Sequence, residues 1–136
     1  MSVKQYIPAI KYGNLVAGDE IESGAITGTN LATGTAASVT KDSNGTTAVS
    51  VFGASGLDYA ITITGVSLVA LDTTATNITV ENPASTVVCT IAKGTSAGAV
   101  VGATTLSNTE VAAGTNLIID GSGAGLARVT ITYVKA

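Results

Sequence analysis

The chain has 136 residues, a net charge of −3 and only 11% charged residues, against about 25% in ordinary domains. Its length favours one domain that buries its own core. Lys and Arg total six and are scattered, so we expect no nucleic-acid partner. Because 46% of the residues are hydrophobic, we expect neighbouring subunits to cover part of the surface; an isolated domain with a Thr-rich surface is the alternative.

The first segment, residues 1–22, holds two of the four tyrosines and one of the two prolines. Pro8 lacks an amide hydrogen and biases Ile7 towards an extended conformation. An ordinary first strand and an extended N-terminal arm that docks on another subunit both fit this composition. Under the second hypothesis, the large side chains of the arm contact the partner: Tyr6, Ile7, Pro8, Ile10 and Tyr12.

The remaining residues, 23–136, are expected to form a single β-sandwich domain. Residues 23–46 are rich in Gly, Thr, Ala and Ser, which indicates short irregular strands or a surface excursion. Within them, "KDSNG" (41–45) predicts a turn, because Asn and Gly both tolerate positive φ. The strand pattern is clearest over 46–136.

From residue 46 onward, apolar and polar residues alternate as in half-buried strands. The phase of the alternation changes at Gly65, which predicts a bulge or bend there. In the last run, Arg128, Thr130 and Thr132 are expected to point away from the core. The residues predicted to share the inward sides of the strands are Thr47, Val49, Val51, Tyr59, Ile61, Ile63, Val66, Leu68, Ile78, Val80, Val87, Cys89, Ile91, Ala127, Val129, Ile131 and Tyr133.

Helical patterns are weak throughout, since no long window carries an apolar stripe free of Gly and β-branched runs. Short strands with a turn every 8 to 12 residues or so are typical of a sandwich or a jelly roll. The alternation argues against a parallel sheet, which needs crossover helices. We therefore predict an all-β fold: an antiparallel β-sandwich of the jelly-roll type with an extended N-terminal arm.

The sequence offers little for catalysis. It has no histidine and one cysteine, Cys89, so His-dependent triads, thiolate metal sites and internal disulfides are excluded. Most carboxylates lie at predicted turns or strand ends, and the chain has no Trp. The acidic stretch "GDEIE" (18–22) lacks the spacing of a calcium loop. We expect no enzymatic activity, no cofactor, no metal and no small-molecule substrate.

The motif "DGSGAGL" (120–126) raises the question of a phosphate-binding loop. Such a loop requires a helix after its glycines, because the helix N-terminus holds the anion. Here Gly121, Gly123 and Gly125 are followed by an alternating, β-branched run that predicts a strand. The motif is therefore predicted to be the turn of a final hairpin, in which the glycines permit unusual backbone conformations.

The stretch "TEVAAGTNLIIDGSGAGLARVTITYV" (109–134) resembles the C-terminal part of small β-sandwich head decoration (cement) proteins of tailed bacteriophages. The shared features are an "AAG" turn, the apolar strand "NLII", a Gly-rich turn and a final alternating strand. The resemblance implies a homotrimer that binds the major capsid protein on the outer capsid surface. It also implies that the chain stabilises contacts between capsomers and is not an enzyme.

No segment has the length of a membrane span or the pattern of a signal peptide, so we expect no membrane partner. We expect synthesis in the host cytoplasm and a location on the virion, at the outer surface of the capsid. The alternative function is a carbohydrate-binding or adhesive β-sandwich module of a phage fibre or a cell surface. That class predicts exposed aromatic rings on a sheet, whereas Tyr59 and Tyr133 are predicted to face inward.

Overall fold

The computed structural model of the chain describes residues 30–45 and 47–136. Within these ranges the chain forms β-strands joined by loops and has no α-helix. The strands are β1 (Ala36–Asp42), β2 (Val49–Ser50), β3 (Ile61–Ala70), β4 (Thr76–Glu81), β5 (Val87–Lys93), β6 (Val100–Gly102), β7 (Glu110–Val111), β8 (Ile118–Gly121) and β9 (Ala127–Lys135).

The strands form two antiparallel sheets. The first sheet has the order β1-β9-β3-β6, with β7 also paired to β3, and the second has the order β2-β8-β4-β5. Apolar side chains from the inner sides of both sheets form one core, as in a β-sandwich. The buried core residues are Val51, Ile61, Ile63, Val66, Leu68, Ile78, Val80, Val88, Cys89, Ile91, Val111, Leu117, Ile119, Ala127, Val129, Ile131 and Tyr133.

The pairing of the strands is that of a jelly roll. Strand β1 pairs with β9, β2 with β8, β3 with β6 and β4 with β5, so the chain resembles one long hairpin wrapped into two sheets. Most connections therefore cross from one sheet to the other, and β4–β5 is a hairpin within the second sheet. The predicted antiparallel β-sandwich of the jelly-roll type is confirmed.

The inward residues agree well with the alternation in sequence. In β9, Ala127, Val129 and Ile131 have no exposed surface, and Tyr133 is buried. The register between β3 and β9 shifts between Ile63 and Gly65, which confirms the predicted bulge. A bulge changes which side of the sheet the next residues face, and this is why the apolar phase changes there.

Two inward predictions are wrong. Val87 is 42% exposed, whereas Val88 is buried, because a register shift between β4 and β5 at Val80/Glu81 changes the phase at this end of β5. Thr47 is exposed and lies outside β2, where it forms a bridge with Asn44. The shift in β5 has no glycine to mark it in the sequence, whereas the bridge at Thr47 encloses the predicted turn at Gly45.

Part of the segment expected to be irregular is a regular strand. β1 pairs along its whole length with β9, and its low β-propensity is offset by this partner. The turn predicted in "KDSNG" is present: Gly45 has a φ of 57°, and the Thr47 amide donates to the Asn44 carbonyl at 3.0 Å. The predicted arm, residues 1–22, lies outside the described residues.

The prediction of a final hairpin is wrong. β8 pairs with β2 and β4 in one sheet, and β9 pairs with β1 and β3 in the other, so the glycine motif carries the chain between sheets. None of its three glycines has a positive φ. Their role is steric: a Cβ at Gly121 would collide with the Gly45 carbonyl, and one at Gly125 with the Thr74 carbonyl.

Candidate interaction surfaces

The outer side of the first sheet carries small, uncharged side chains. The inward alternation of β9 leaves Thr130 and Thr132 outside, and the registers place serine, threonine and glycine beside them on the neighbouring strands. We call this surface the hydroxyl face. Its members are Ser38, Thr40, Thr64, Gly65, Ser67, Gly102, Thr130 and Thr132.

Hydroxyl groups on this surface bond to one another and to the backbone. The Thr40 and Thr130 hydroxyls lie 3.0 Å apart, and the Thr64 hydroxyl donates to Thr132 at 3.2 Å. The Thr132 hydroxyl in turn donates to the Gly65 carbonyl at 3.3 Å. Several hydroxyl groups of the face therefore already have hydrogen-bond partners within it, which lowers the desolvation cost of covering it.

The hydroxyl face continues into an ion pair at one corner. The Arg128 guanidinium donates from Nε and Nη2 to the two carboxylate oxygens of Asp42, at 2.8 and 3.1 Å. This hydrogen bonding lowers the pKa of Asp42 and raises that of Arg128. Both side chains are about half exposed, so the pair adds little stability and leaves the corner without net charge.

Apolar side chains are exposed at the same end of the sheet. Val100 in the short strand β6 is 71% exposed and lies opposite Val69 of β3. Leu71 and Leu126 are also exposed, and they are adjacent because the Leu71 amide donates to the Leu126 carbonyl at 3.0 Å. Exposed apolar side chains grouped at the edge of a surface that carries few charges are typical of a site that another protein covers.

The loops 43–45, 71–75, 94–99 and 122–126 meet at one end of the sandwich, which we call the glycine end. Lys93 is buried there, and its ammonium group donates to the Asp72 carboxylate at 2.5 Å and to the Thr74 carbonyl. Asp72 also accepts from the Thr74 and Leu126 amides, at 3.1 and 3.0 Å. The bond from Lys93, with these amides, lowers the pKa of Asp72.

The opposite end, which we call the groove end, contains an open polar groove of about 560 Å³. The Asn82 side chain is buried there, and its Nδ2 donates to the Asn108 and Glu110 carbonyls, at 2.7 and 2.8 Å. The Asn108 Nδ2 donates to the Val87 carbonyl at 2.8 Å. The residues that line the groove are Asn82, Pro83, Thr86, Asn108, Thr109, Glu110, Ala112 and Thr115.

A second, smaller depression of about 460 Å³ adjoins the groove and shares Glu110 and Ala112 with it. Its other lining residues are mostly small or aliphatic: Ala60, Ile61, Thr62, Val111 and Ala136. Glu110 therefore lies at the junction of a polar and a largely apolar surface.

Aromatic rings in the described part of the chain lie towards the core. Phe52 and Tyr133 make an edge-to-face contact, with centroids 5.6 Å apart and planes at 85°. Burial, aided by Tyr59, raises the pKa of Tyr133. The inward placement predicted for Tyr133 is confirmed, and Tyr59 packs against the core while partly exposed.

The described residues contain no group of three or more His, Cys, Asp or Glu side chains placed to hold a metal ion. Cys89 is buried, and burial raises the pKa of its thiol, which is typical of an unreactive core cysteine. Within the same ranges, no helix has the length and apolar character needed to cross a bilayer.

The partner-contacting residues predicted in the arm, Tyr6, Ile7, Pro8, Ile10 and Tyr12, lie outside the described residues. The sequence analysis did not identify the groove end, because in the sequence Asn82 is only the residue before Pro83 and Glu110 is one of nine acidic residues. The strand ends at Asn-Pro, but nothing local shows that the loop after β6 packs against it.

Comparison with family models gives no match, and none is found among curated proteins. Among solved structures, the chain is similar to a chain of the cyanophage Pam1 capsid asymmetric unit. The similarity covers 93% of this chain and 96% of that chain, with 20% sequence identity and a TM-score of 0.51. The two chains therefore share a fold over nearly their full lengths.

Proposed function

We propose that this chain is a structural protein of a tailed-bacteriophage virion. In this proposal it binds the major capsid protein on the outer surface of the capsid and stabilises contacts between capsomers. The observation that supports this most is the fold shared along nearly the whole chain with a protein of a cyanophage capsid. The resemblance of residues 109–134 to head decoration proteins is consistent with it.

The hydroxyl face supports a role in assembly. Burying Ser, Thr, Gly and Ala side chains costs less conformational entropy than burying long charged ones, and few charges there need to be desolvated. The exposed Val100, Leu71 and Leu126 add apolar area at its edge. We propose that this face packs against another copy of the chain in a homotrimer, which then attaches to the capsid by several weak contacts at once.

The proposal includes the absence of enzymatic activity. The sequence has no histidine, and two of the described carboxylates, Asp42 and Asp72, are engaged in ion pairs. The alternative of a carbohydrate-binding module gains no support from the aromatic residues of the described ranges, since Phe52, Tyr59 and Tyr133 pack on the core.

Co-sedimentation with capsids assembled without this chain tests the proposal. The purified protein is expected to pellet with the capsids in a saturable, symmetry-related ratio, and an antibody against it is expected to label intact virions. A protein that remains in the supernatant and is absent from virions would overturn the proposed function.

The role of the hydroxyl face is tested by inserting one charge. Thr132→Glu places a carboxylate on this face, and Thr90→Glu places one on an exposed position of the other sheet. We expect native mass spectrometry to show a trimer for the wild type and Thr90→Glu, and monomers for Thr132→Glu. Equal behaviour of the two variants would contradict the assignment of this face.

The predicted arm is tested separately. Deleting residues 2–13 removes Tyr6, Ile7, Pro8, Ile10 and Tyr12 and leaves the described domain intact. If the arm contacts the partner, capsid occupancy falls while thermal stability stays unchanged. Unchanged occupancy would reject the arm hypothesis and leave capsid binding by the domain in place.

A further inference from the structure

We propose that the polar groove at the groove end binds a cationic side chain, arginine or lysine, of a partner protein. The class of ligand follows from the groove itself, and the identification of that partner as a capsid protein rests on the proposed function. The groove shares no residue with the hydroxyl face, although Glu110 pairs with Thr62 of β3 in the same sheet.

Asn82 supplies a rigid hydrogen-bond acceptor. Its side chain is buried, with 7% of the residue exposed, and both Nδ2 hydrogens are used on the Asn108 and Glu110 carbonyls. These bonds turn Oδ1 away from the two carbonyls, and Oδ1 has no partner among the described residues. An amide held in this way presents an acceptor without the entropy cost of ordering it on binding.

Glu110 adds the charge. Its carboxylate has no ion-pair or hydrogen-bond partner in the described part of the chain, and the residues that line the groove include no Lys or Arg. Three of the cations in the described ranges are engaged elsewhere: Lys93 with Asp72, Arg128 with Asp42, and Lys135 with the Leu31 carbonyl. The groove is therefore rich in acceptors and carries negative charge.

Other ligand classes fit this groove less well. A calcium ion takes six to eight or so oxygen ligands, usually with several carboxylates, and Glu110 is the groove's single carboxylate. Sugar sites commonly use an aromatic ring as a platform, and no aromatic residue lines the groove. A cationic side chain has the charge opposite to that of Glu110, and its N–H groups can donate to the Glu110 carboxylate and the Asn82 Oδ1.

The adjoining depression explains why a side chain fits better than a free cation. It is lined mainly by Ala60, Ile61, Val111 and Ala112 and begins at Glu110. Arginine and lysine have aliphatic stems that lie on apolar surface while the charged group stays polar. The stem would therefore pack in the smaller depression while the charged group reaches Glu110 and Asn82.

The test is an NMR titration of the ¹⁵N-labelled chain with Nα-acetyl-arginine methylamide and Nα-acetyl-lysine methylamide, whose only charge is on the side chain. We expect saturable shifts confined to the amides that line the groove and the smaller depression, among them Asn82, Asn108, Glu110, Ile61 and Val111. Nα-acetyl-citrulline methylamide, the uncharged analogue of the arginine probe, is expected to give none. The Glu110→Gln variant is expected to bind at least about fivefold more weakly.

Asp120→Asn is the matched control, because it removes one negative charge from β8, away from the groove, and is expected to bind like the wild type. The proposal is overturned if neither charged probe shifts the amide resonances of the groove, or if the citrulline probe shifts them to the same extent. It is also overturned if Glu110→Gln binds the charged probes as tightly as Asp120→Asn does. The titration contains no capsid, so it can fail while co-sedimentation succeeds, or succeed while co-sedimentation fails.

Discussion

The two ends of this sandwich are closed in different ways. At the glycine end, Gly121 and Gly125 let loops pack backbone against backbone, and the buried Lys93 is matched by Asp72 and the Thr74 carbonyl. At the groove end, the Asn82 Nδ2 group donates to the Asn108 and Glu110 carbonyls. The Asn82 Oδ1 and the Glu110 carboxylate have no partner among the described residues. The charged groups at the glycine end are paired internally, although the buried Thr76 hydroxyl beside Gly123 and Gly125 has no partner among the described residues. The groove end leaves acceptors open, one of them charged.

The loops at the two ends of the sandwich therefore differ in what they contribute to the protein. Close packing and satisfied charges contribute to stability, whereas a rigid but unsatisfied acceptor contributes to binding when a donor arrives. Substitutions at the glycine end should therefore change stability. At the groove end, Asn82 should affect stability, while Glu110 should affect binding alone.

The largest effect is expected at Gly121. A methyl group there would overlap the Gly45 carbonyl, and backbone atoms cannot move aside as a flexible side chain can. We expect Gly121→Ala to lower the free energy of unfolding by about 3 kcal/mol, measured by urea denaturation.

Gly94→Ala is the control at the same end, because a Cβ there meets nothing within 4 Å and the residue has no positive φ. It should change stability by less than about 0.5 kcal/mol. Similar losses in both variants would show that the glycine end is not closed by steric contact.

The next effect concerns the orientation of the Asn82 amide. Asn82→Asp replaces the Nδ2 donor with an oxygen that faces the Asn108 and Glu110 carbonyls. We expect a loss of about 2–3 kcal/mol in the free energy of unfolding, because two buried acceptors lose their donor. Asn77→Asp makes the same chemical change on an exposed side chain and should be nearly neutral; equal losses would disprove this orientation.

A smaller effect appears on acidification. The pKa of Asp72 is lowered from its ordinary value of 3.8 by Lys93, so the stability it contributes is present above that value and is lost as the pH falls through the lowered pKa. Asp72→Asn should therefore lose less stability than the wild type between about pH 6 and about pH 3.

Asp42→Asn provides the comparison for this experiment. The pKa of Asp42 is also lowered, by Arg128, but both partners are about half exposed and solvent screens them. Its acid sensitivity should remain close to that of the wild type in urea denaturation at the same two pH values. If Asp42→Asn lost less stability on acidification than Asp72→Asn, the Lys93–Asp72 pair would not be the one that stabilises the protein.

The smallest effect on stability is expected from Glu110→Gln at the groove end. Because the Glu110 carboxylate has no internal partner in the described structure, its neutralisation should change the free energy of unfolding by less than about 0.5 kcal/mol. A larger loss by thermal denaturation would mean that Glu110 supports the fold, and the contrast between the two ends would fail.

Much of the fold could be predicted from local pattern. Alternation gave the inward residues of β9 and β4, and a phase change at Gly65 located the bulge in β3. The candidate site at the groove end could not be predicted, since Asn82 meets Asn108 and the first residue of β7, Glu110, only after the chain has folded. The hydroxyl face was half predictable: the outward threonines of β9 were expected, but not their neighbours.

The sequence by itself determined that this chain is an all-β sandwich without histidine-based chemistry, because burial of one side of a strand leaves a period-two pattern in the sequence. Tertiary structure decided which strands pair, and it placed β8 and β9 in opposite sheets. It also decided why the glycines of "DGSGAGL" are needed. Their neighbours are Gly45, Thr74 and Thr76, which are distant in sequence, so no local pattern could reveal that close approach.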